Sequence, residues 1–246
     1  MTTRPQQEGH RALLPGTASM RLGVALFAAF VLALITSCAG TSGTTGQQES
    51  LPDGARLLAD SAAAMREVNT IRFTIAAQGD IPNVPLRYAE GQLTEQGSAK
   101  GLLRMQEGEK VIQREFVITG DTLYLRDPAG QYQKLPASAT GVTYNPSVIL
   151  NPDKGIPAVL ASGKDATTQA RELISGKDTY KVDATFPREP LSTLVPGITE
   201  DTTGNMWIAT QGSQLVQAQF RLGGGIVSVQ LGEYNAPVSI TAPTTS

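Results

Sequence analysis

Read from the amino end, the apolar positions change rhythm several times. Leu22 to Ile35 is one apolar run. Ala39 to Ser50 (AGTSGTTGQQES) is then small or polar with a single charge, a composition that predicts a flexible tether. After Pro52-Asp53, Leu58, Ala62, Met65 and Val68 recur every three or four residues, with Arg56, Asp60, Arg66 and Glu67 between them. That spacing predicts a helix with one apolar stripe. From Ile71 the period drops to two: Ile71, Phe73, Ile75 and Ala77 alternate with Arg72, Thr74, Ala76 and Gln78, as in a half-buried strand.

Similar alternation predicts strands at Leu86–Gln96, Ser98–Gln106 and Lys110–Thr119, bounded by Gly97, Gly108 and Gly120-Asp121. Leu123–Leu125 and Gln131–Leu135 flank the hairpin turn Asp127-Pro128-Ala129-Gly130. A helical insert is expected next. Asn145-Pro146 and Asn151-Pro152-Asp153 each place a capping residue before a proline, Val148, Ile149, Leu150 and Ile156, Val159, Leu160 follow, and Gly163 closes the pair. Strands resume at Ala166–Ile174 and Thr179–Phe186. A short helix near Pro190–Val195 precedes Thr203–Thr210, Gln214–Leu222 and Ile226–Tyr234.

Strands joined by short turns pair antiparallel, because parallel neighbours need a long crossover. The pattern therefore predicts an α+β fold: one large, mostly antiparallel sheet with a few helices on one face. Strand twist curls so long a sheet, and helices over its concave face either fill it or enclose a pocket.

The segment before the tether changes the picture from a fold to a location. Arg4, Arg11 and Arg21 precede the apolar run, which is shorter than the ~20 residues that span a bilayer. Ile35-Thr36-Ser37-Cys38 then resembles the lipobox of bacterial lipoproteins, in which the cysteine is joined to diacylglycerol and becomes the first residue after cleavage. The expected organisation is a signal peptide at 1–37, the lipid-bearing Cys38 and tether at 38–50, one domain at 51–243, and a loose tail at 244–246. Met20-Arg21 with the same run also makes a complete short signal, so Met20 is a second candidate start that N-terminal mapping distinguishes. The expected location is the outer face of the cytoplasmic membrane, facing the periplasm and cell wall, with acyl chains at Cys38 as the anchor.

Composition narrows the chemistry. Removing residues 1–37 takes Lys plus Arg from 20 to 17 and Asp plus Glu from 22 to 21, so the net charge moves from −2 to −4. A mildly acidic domain has neither the basic footprint of a nucleic-acid binder nor a polybasic lipid-binding patch. Cys38 is the single cysteine and His10, inside the leader, the single histidine. Disulfides, histidine-based triads and His/Cys metal sites are thereby excluded from the processed chain, and no phosphate-loop or dinucleotide fingerprint is present. Carboxylate-only chemistry stays open, although Glu90, Glu95, Glu107, Glu115 and Asp121 fall in segments patterned as exposed faces and turns. No cofactor is expected.

An ordered series of segments carries a further likeness. Ala62-Ala63-Ala64-Met65, Val68 and Phe73 lead to Tyr88-Ala89-Glu90-Gly91-Gln92-Leu93 and Asp121-Thr122-Leu123-Tyr124-Leu125-Arg126-Asp127. Asn145-Pro146-Ser147-Val148-Ile149-Leu150, Pro152-Asp153-Lys154-Gly155, Trp207-Ile208 and Tyr234-Asn235-Ala236-Pro237-Val238 follow. Behind a lipobox, this series resembles the LppX/LprG lipoproteins of mycobacteria and related actinobacteria, over about Leu51 to Pro243. The resemblance implies a curved, half-barrel-like antiparallel sheet with helices on its concave side around an apolar cavity, similar to carriers of the Lol type. It also implies binding of multiply acylated glycolipids or related envelope lipids, their carriage outward from the cytoplasmic membrane, no enzymatic activity, and in one branch work beside a membrane exporter of the major-facilitator type.

Candidate pocket residues are the apolar positions of the insert and of the facing strands: Val148, Ile149, Ile156, Val159 and Leu160, with Phe73, Ile75, Leu103, Met105, Phe116, Val182 and Trp207. Cavity lining and packed core share one apolar periodicity, so the pattern leaves both roles open at each position. Asn145-Pro146 and Asp153-Lys154-Gly155 are either a mobile rim or simple helix caps. Two other functions compete with lipid carriage. A glycan-acting enzyme would need two carboxylates about 5–9 Å apart across a cleft. A surface-displayed interaction or assembly protein would need an exposed apolar patch instead.

Overall fold

Eleven strands hydrogen-bond in one open sheet in the computed structural model, which describes residues 50–81, 84–136, 146–195 and 198–245. The leader, Cys38, the tether up to residue 49 and Asn145 lie outside the described residues.

Helix α1 (Gly54–Arg66) starts where the sequence placed it, with Asp53 Oδ1 accepting from the Arg56 amide at 2.8 Å. This satisfies one of the amides that the first turn leaves unpaired. Strands β1 (Thr70–Asp80), β2 (Leu86–Thr94), β3 (Ala99–Glu107), β4 (Lys110–Thr119), β5 (Thr122–Arg126) and β6 (Tyr132–Pro136) follow as a meander. The β5–β6 turn closes through Gly130 N–H to Asp127 O at 3.0 Å, with Gly130 at φ 87°. The second half comprises α2 (Ile156–Ala161), β7 (Lys164–Ile174), β8 (Lys177–Phe186), α3 (Arg188–Leu194), β9 (Thr202–Ala209), β10 (Leu215–Leu222) and β11 (Gly224–Gly232).

The sheet order is β6-β5-β4-β3-β2-β1-β11-β10-β9-β8-β7, antiparallel throughout. Two meanders are therefore fused by a single long-range pairing, β1 with β11, in which Phe73 faces Leu231 and Ile75 faces Val229. Beyond β11 the chain latches onto the start of β1: Asn235 Oδ1 accepts from the Asn69 amide and Thr70 Oγ1 donates to Ala236 O, both at 2.7 Å. The Tyr234 hydroxyl donates to Leu215 O, and burial raises its pKa above the ordinary phenol value.

The insert departs from expectation. Pro146–Val148 is a single 3-10 turn rather than an α-helix, and α2 begins at Ile156, not after Asn151. Asn151 Oδ1 accepts from both the Asp153 and Lys154 amides at 3.0 Å, so it caps a local turn, and its carbonyl accepts from Gly155 N at 2.8 Å. A short side chain satisfied by its own neighbours competes with helix propagation. Pro157, within the first turn of α2, is the proline that fits the helix start.

All three helices join one core on one face of the sheet, with Leu58, Ala62 and Met65 of α1, Ile156, Val159 and Leu160 of α2, and Leu191 of α3. Helix α1 packs on α2 and on β7, β8 and β9. The backbone contacts are close: a Cβ added to Gly54 would sit 2.7 Å from Ala166 O.

Candidate lipid-binding face

Strand alternation assigns each residue of the sheet to a face, and the pairing register carries that assignment from strand to strand. On the face that bears the helices, one ladder runs Leu231, Phe73, Gly91, Gly101, Phe116, Leu125 across six strands. The next runs Val229, Ile75, Ala89, Leu103, Arg114. Met105 and Ile112 form the following pair on β3 and β4. Gly91 and Gly101 face each other across the strands, so between the rings of Phe73 and Phe116 the floor of the sheet carries no side chain. A Cβ at Gly101 would lie 1.9 Å from Glu90 O, so glycine is required there by close backbone approach.

The twelve candidate residues fall into three groups. Phe116, Ile156, Val159, Leu160 and Val182 are buried in the core. Phe73, Ile75, Leu103, Met105, Val148 and Ile149 are half-buried. Of these, Phe73, Leu103 and Ile149 border the main core, and Ile75 borders a small second cluster of Ala77, Ile81 and Val227. Trp207 is a correction. It lies between Met206 and Ile208, which both enter the core, and pairs with Lys181 and Gln217 on the opposite face. Its Nε1–H donates to Glu172 Oε2 at 2.8 Å, and Lys181 Nζ sits 5.3 Å from the ring centroid. An indole N–H needs an acceptor when buried, and the outer face supplies one where the apolar core has none. Sequence reasoning also missed Ile112 and Arg114, although the alternation of Lys110–Thr119 places both on the Phe116 side.

Burial separates filled from open regions. Val182, Phe186 and Ile208 are 0 % exposed, so they line no space that a water could enter. Strands β8 and β9 are thus sealed beneath the helices at these positions. A half-buried row on β1, β3 and β4 leaves apolar side chains partly accessible on the helix-bearing face. Elsewhere, a cleft of about 260 Å³ lies between α1 and α2, lined by Leu58, Ala62, Leu160 and Gly163 among others, and one of about 210 Å³ lies by Leu51 and Tyr180. Both fall below the roughly 300–1,000 Å³ usual for small-molecule pockets.

The outer face of β1–β6 is polar and internally paired. Arg126 meets Glu115 at 3.0 Å, Arg72 meets Glu233 at 2.8 Å, and the Tyr88 hydroxyl donates to Glu90 at 2.7 Å, which raises the phenol pKa. Glu90, Glu95, Glu107, Glu115 and Asp121 are all exposed. Among the described residues no cluster of His, Cys, Asp and Glu could hold a metal ion.

A two-faced sheet with helices on one side matches known proteins. Residues 53–240 fit the profile of the LppX_LprAFG lipoproteins. The chain belongs to the LppX_LprAFG lipoprotein family. Among its relatives is the lipoarabinomannan carrier protein LprG of Mycolicibacterium smegmatis, 31% identical over 221 residues, covering 86% of this chain and 91% of that one. Lipoprotein LprA of Mycobacterium tuberculosis is 31% identical over 216 residues, covering 83% and 87%. The fold is shared with the crystal structure of LprF from Mycobacterium bovis, at TM-score 0.70 and 24% identity, covering 77% of this chain and 96% of that one. It is shared also with LppX of M. tuberculosis, at TM-score 0.59 and 20% identity, covering 76% and 98%. Membership establishes the expected class: a curved antiparallel sheet with helices, in a lipoprotein of a lipid-carrier family.

Proposed function

We propose that this lipoprotein binds acylated lipids or glycolipids on the helix-bearing face of β1–β4 and carries them from the cytoplasmic membrane toward the outer envelope. The observation that carries the reading is the half-buried row of Phe73, Ile75, Leu103 and Met105, apolar and left accessible by the helices. The naming of LprG relatives as lipoarabinomannan carriers supports a glycolipid-type cargo. Exposing a C16 acyl chain to water costs about 12 kcal/mol at ~0.8 kcal/mol per methylene. Free diffusion of a multi-acyl lipid through water is therefore slow, and an apolar shelter removes that barrier without a nucleophile, metal or nucleotide. Acyl chains at Cys38 hold the carrier at the membrane, and a major-facilitator-type exporter is a partner that would load it.

Native mass spectrometry with lipid extraction, on chain made in a related bacterium, tests the reading. Co-purifying acylated lipid is the expected result; protein that emerges with no lipid under conditions that keep lipid on LprG overturns it. Cys38→Ala should move the chain from the membrane to the soluble fraction.

A second reading, a surface-displayed interaction protein, is favoured by one observation: neither cleft described above lies over the Phe73–Leu103 row. The same extraction separates the two, because a protein partner would leave the purified chain free of lipid.

A further inference from the structure

The arginines of the first meander have partners on the protein, with one exception among the described residues. Arg72 pairs with Glu233, Arg87 donates to Gly79 O, Arg104 to Gln113, and Arg126 to Glu115. Arg114 has no hydrogen bond, ion pair or ring contact. It is nevertheless half-buried, and it stands on the helix-bearing face directly across from Leu103, two residues from Phe116 and from Ile112 on its own strand. The carboxylate that follows β5, Asp127, uses Oδ1 to accept from the Gln131 amide and forms no ion pair with it. Removing a guanidinium from part of its water without a counter-charge is unfavourable, so the position is costly as it stands.

The geometry points to Arg114 as the binding site for the anionic phosphate headgroup of an acylated lipid, whose chains lie on the adjoining row of Leu103, Ile75 and Phe73. This inference rests on the lipid-carrier reading and adds to it the charge class of the cargo. The arrangement is that of an amphiphile in mirror image. Apolar ladders occupy the face, and one unneutralised cation stands at their end, its stem free to lie on Leu103 while its head reaches for charge. A guanidinium presents two parallel N–H donors, which match two phosphate oxygens as an ammonium does not. A neutral glycolipid would leave the cation unanswered.

The test measures binding of two fluorescent probes to the full chain in detergent: pyrene-labelled phosphatidylglycerol, and pyrene-labelled diacylglycerol with the same chains. The expected result is about tenfold tighter binding of the phosphate probe, as one charge-assisted contact provides. Arg114→Gln should abolish that preference, read as the ratio of the two affinities in the same variant, and Arg114→Lys should keep part of it. Equal affinity of the unaltered chain for the two probes, or an Arg114→Gln variant that retains the preference, overturns the assignment while lipid carriage stands. Failure of both probes to bind overturns the carrier reading and this inference with it.

Discussion

In the β7–β10 half of the sheet Val182, Phe186, Met206 and Ile208 are pressed under α1, α2 and α3, whereas in the β1–β4 half Phe73, Ile75, Leu103 and Met105 stay half-exposed. Both sets are large apolar side chains on the same face of the same sheet. What differs is the cover. Helix α1 lies on β7, β8 and β9. The insert reaches the first meander at its β2–β3 turn, where a Cβ on Gly97 would sit 2.6 Å from Ser147 N. There Leu93, Ala99 and Leu123 are buried; further along, the apolar row on β1 and β3 is only half-buried. One half is packed shut, and the other keeps apolar surface available, as the proposed binding of lipid requires.

The sharpest way to break this contrast is Phe186→Ala. The ring is fully buried and meets Phe220 edge-on at 5.6 Å between centroids. Its loss should cost about 3–5 kcal/mol of stability, read from denaturant unfolding, with lipid affinity per folded molecule unchanged. A mild effect on stability, or a selective loss of binding, would mean that the sealed half is not merely structural. Ile75→Asp should act the other way. A carboxylate on the open row should lower affinity for a neutral diacyl probe by about tenfold, the effect of roughly 1.4 kcal/mol lost from apolar contact, while its stability cost stays below that of Phe186→Ala. The smallest effect is expected at Trp207→Phe, which removes the Nε1–H contact to Glu172 on the outer face. About 1 kcal/mol of stability should go, and lipid binding should not change; a binding defect there would put the cargo on the wrong side of the sheet.

Much of this could be read in the residues. Period-two runs located the strands and Asp53 the start of α1, because each depends on neighbours within a few positions. The candidate site was legible only in part. Phe73, Ile75, Leu103 and Met105 share the helix-bearing face, but Met206-Trp207-Ile208 is a continuous apolar run without alternation, and such a run does not say which member turns inward. Arg114 was overlooked because an arginine within an alternating strand reads as solvent-facing, and its unpaired state is visible only once every neighbour is placed. Asn151 misled for the opposite reason. Its capping chemistry is real, but it closes a turn and not a helix.

By itself, then, the amino-acid order determined the identity and succession of the elements, the polarity of each strand face, and the scarcity of catalytic side chains, all of which follow from local geometry and composition. Only the tertiary structure decided that β1 pairs with β11, that Trp207 turns outward, and that the helices seal one half while leaving the other open. Those outcomes depend on contacts between separate elements: β1 and β11 lie more than a hundred positions apart, and the partners of Trp207, namely Glu172, Lys181 and Gln217, come from three other strands. No local period encodes them, because an apolar side chain has the same pattern whether a helix, a lipid or water comes to lie above it.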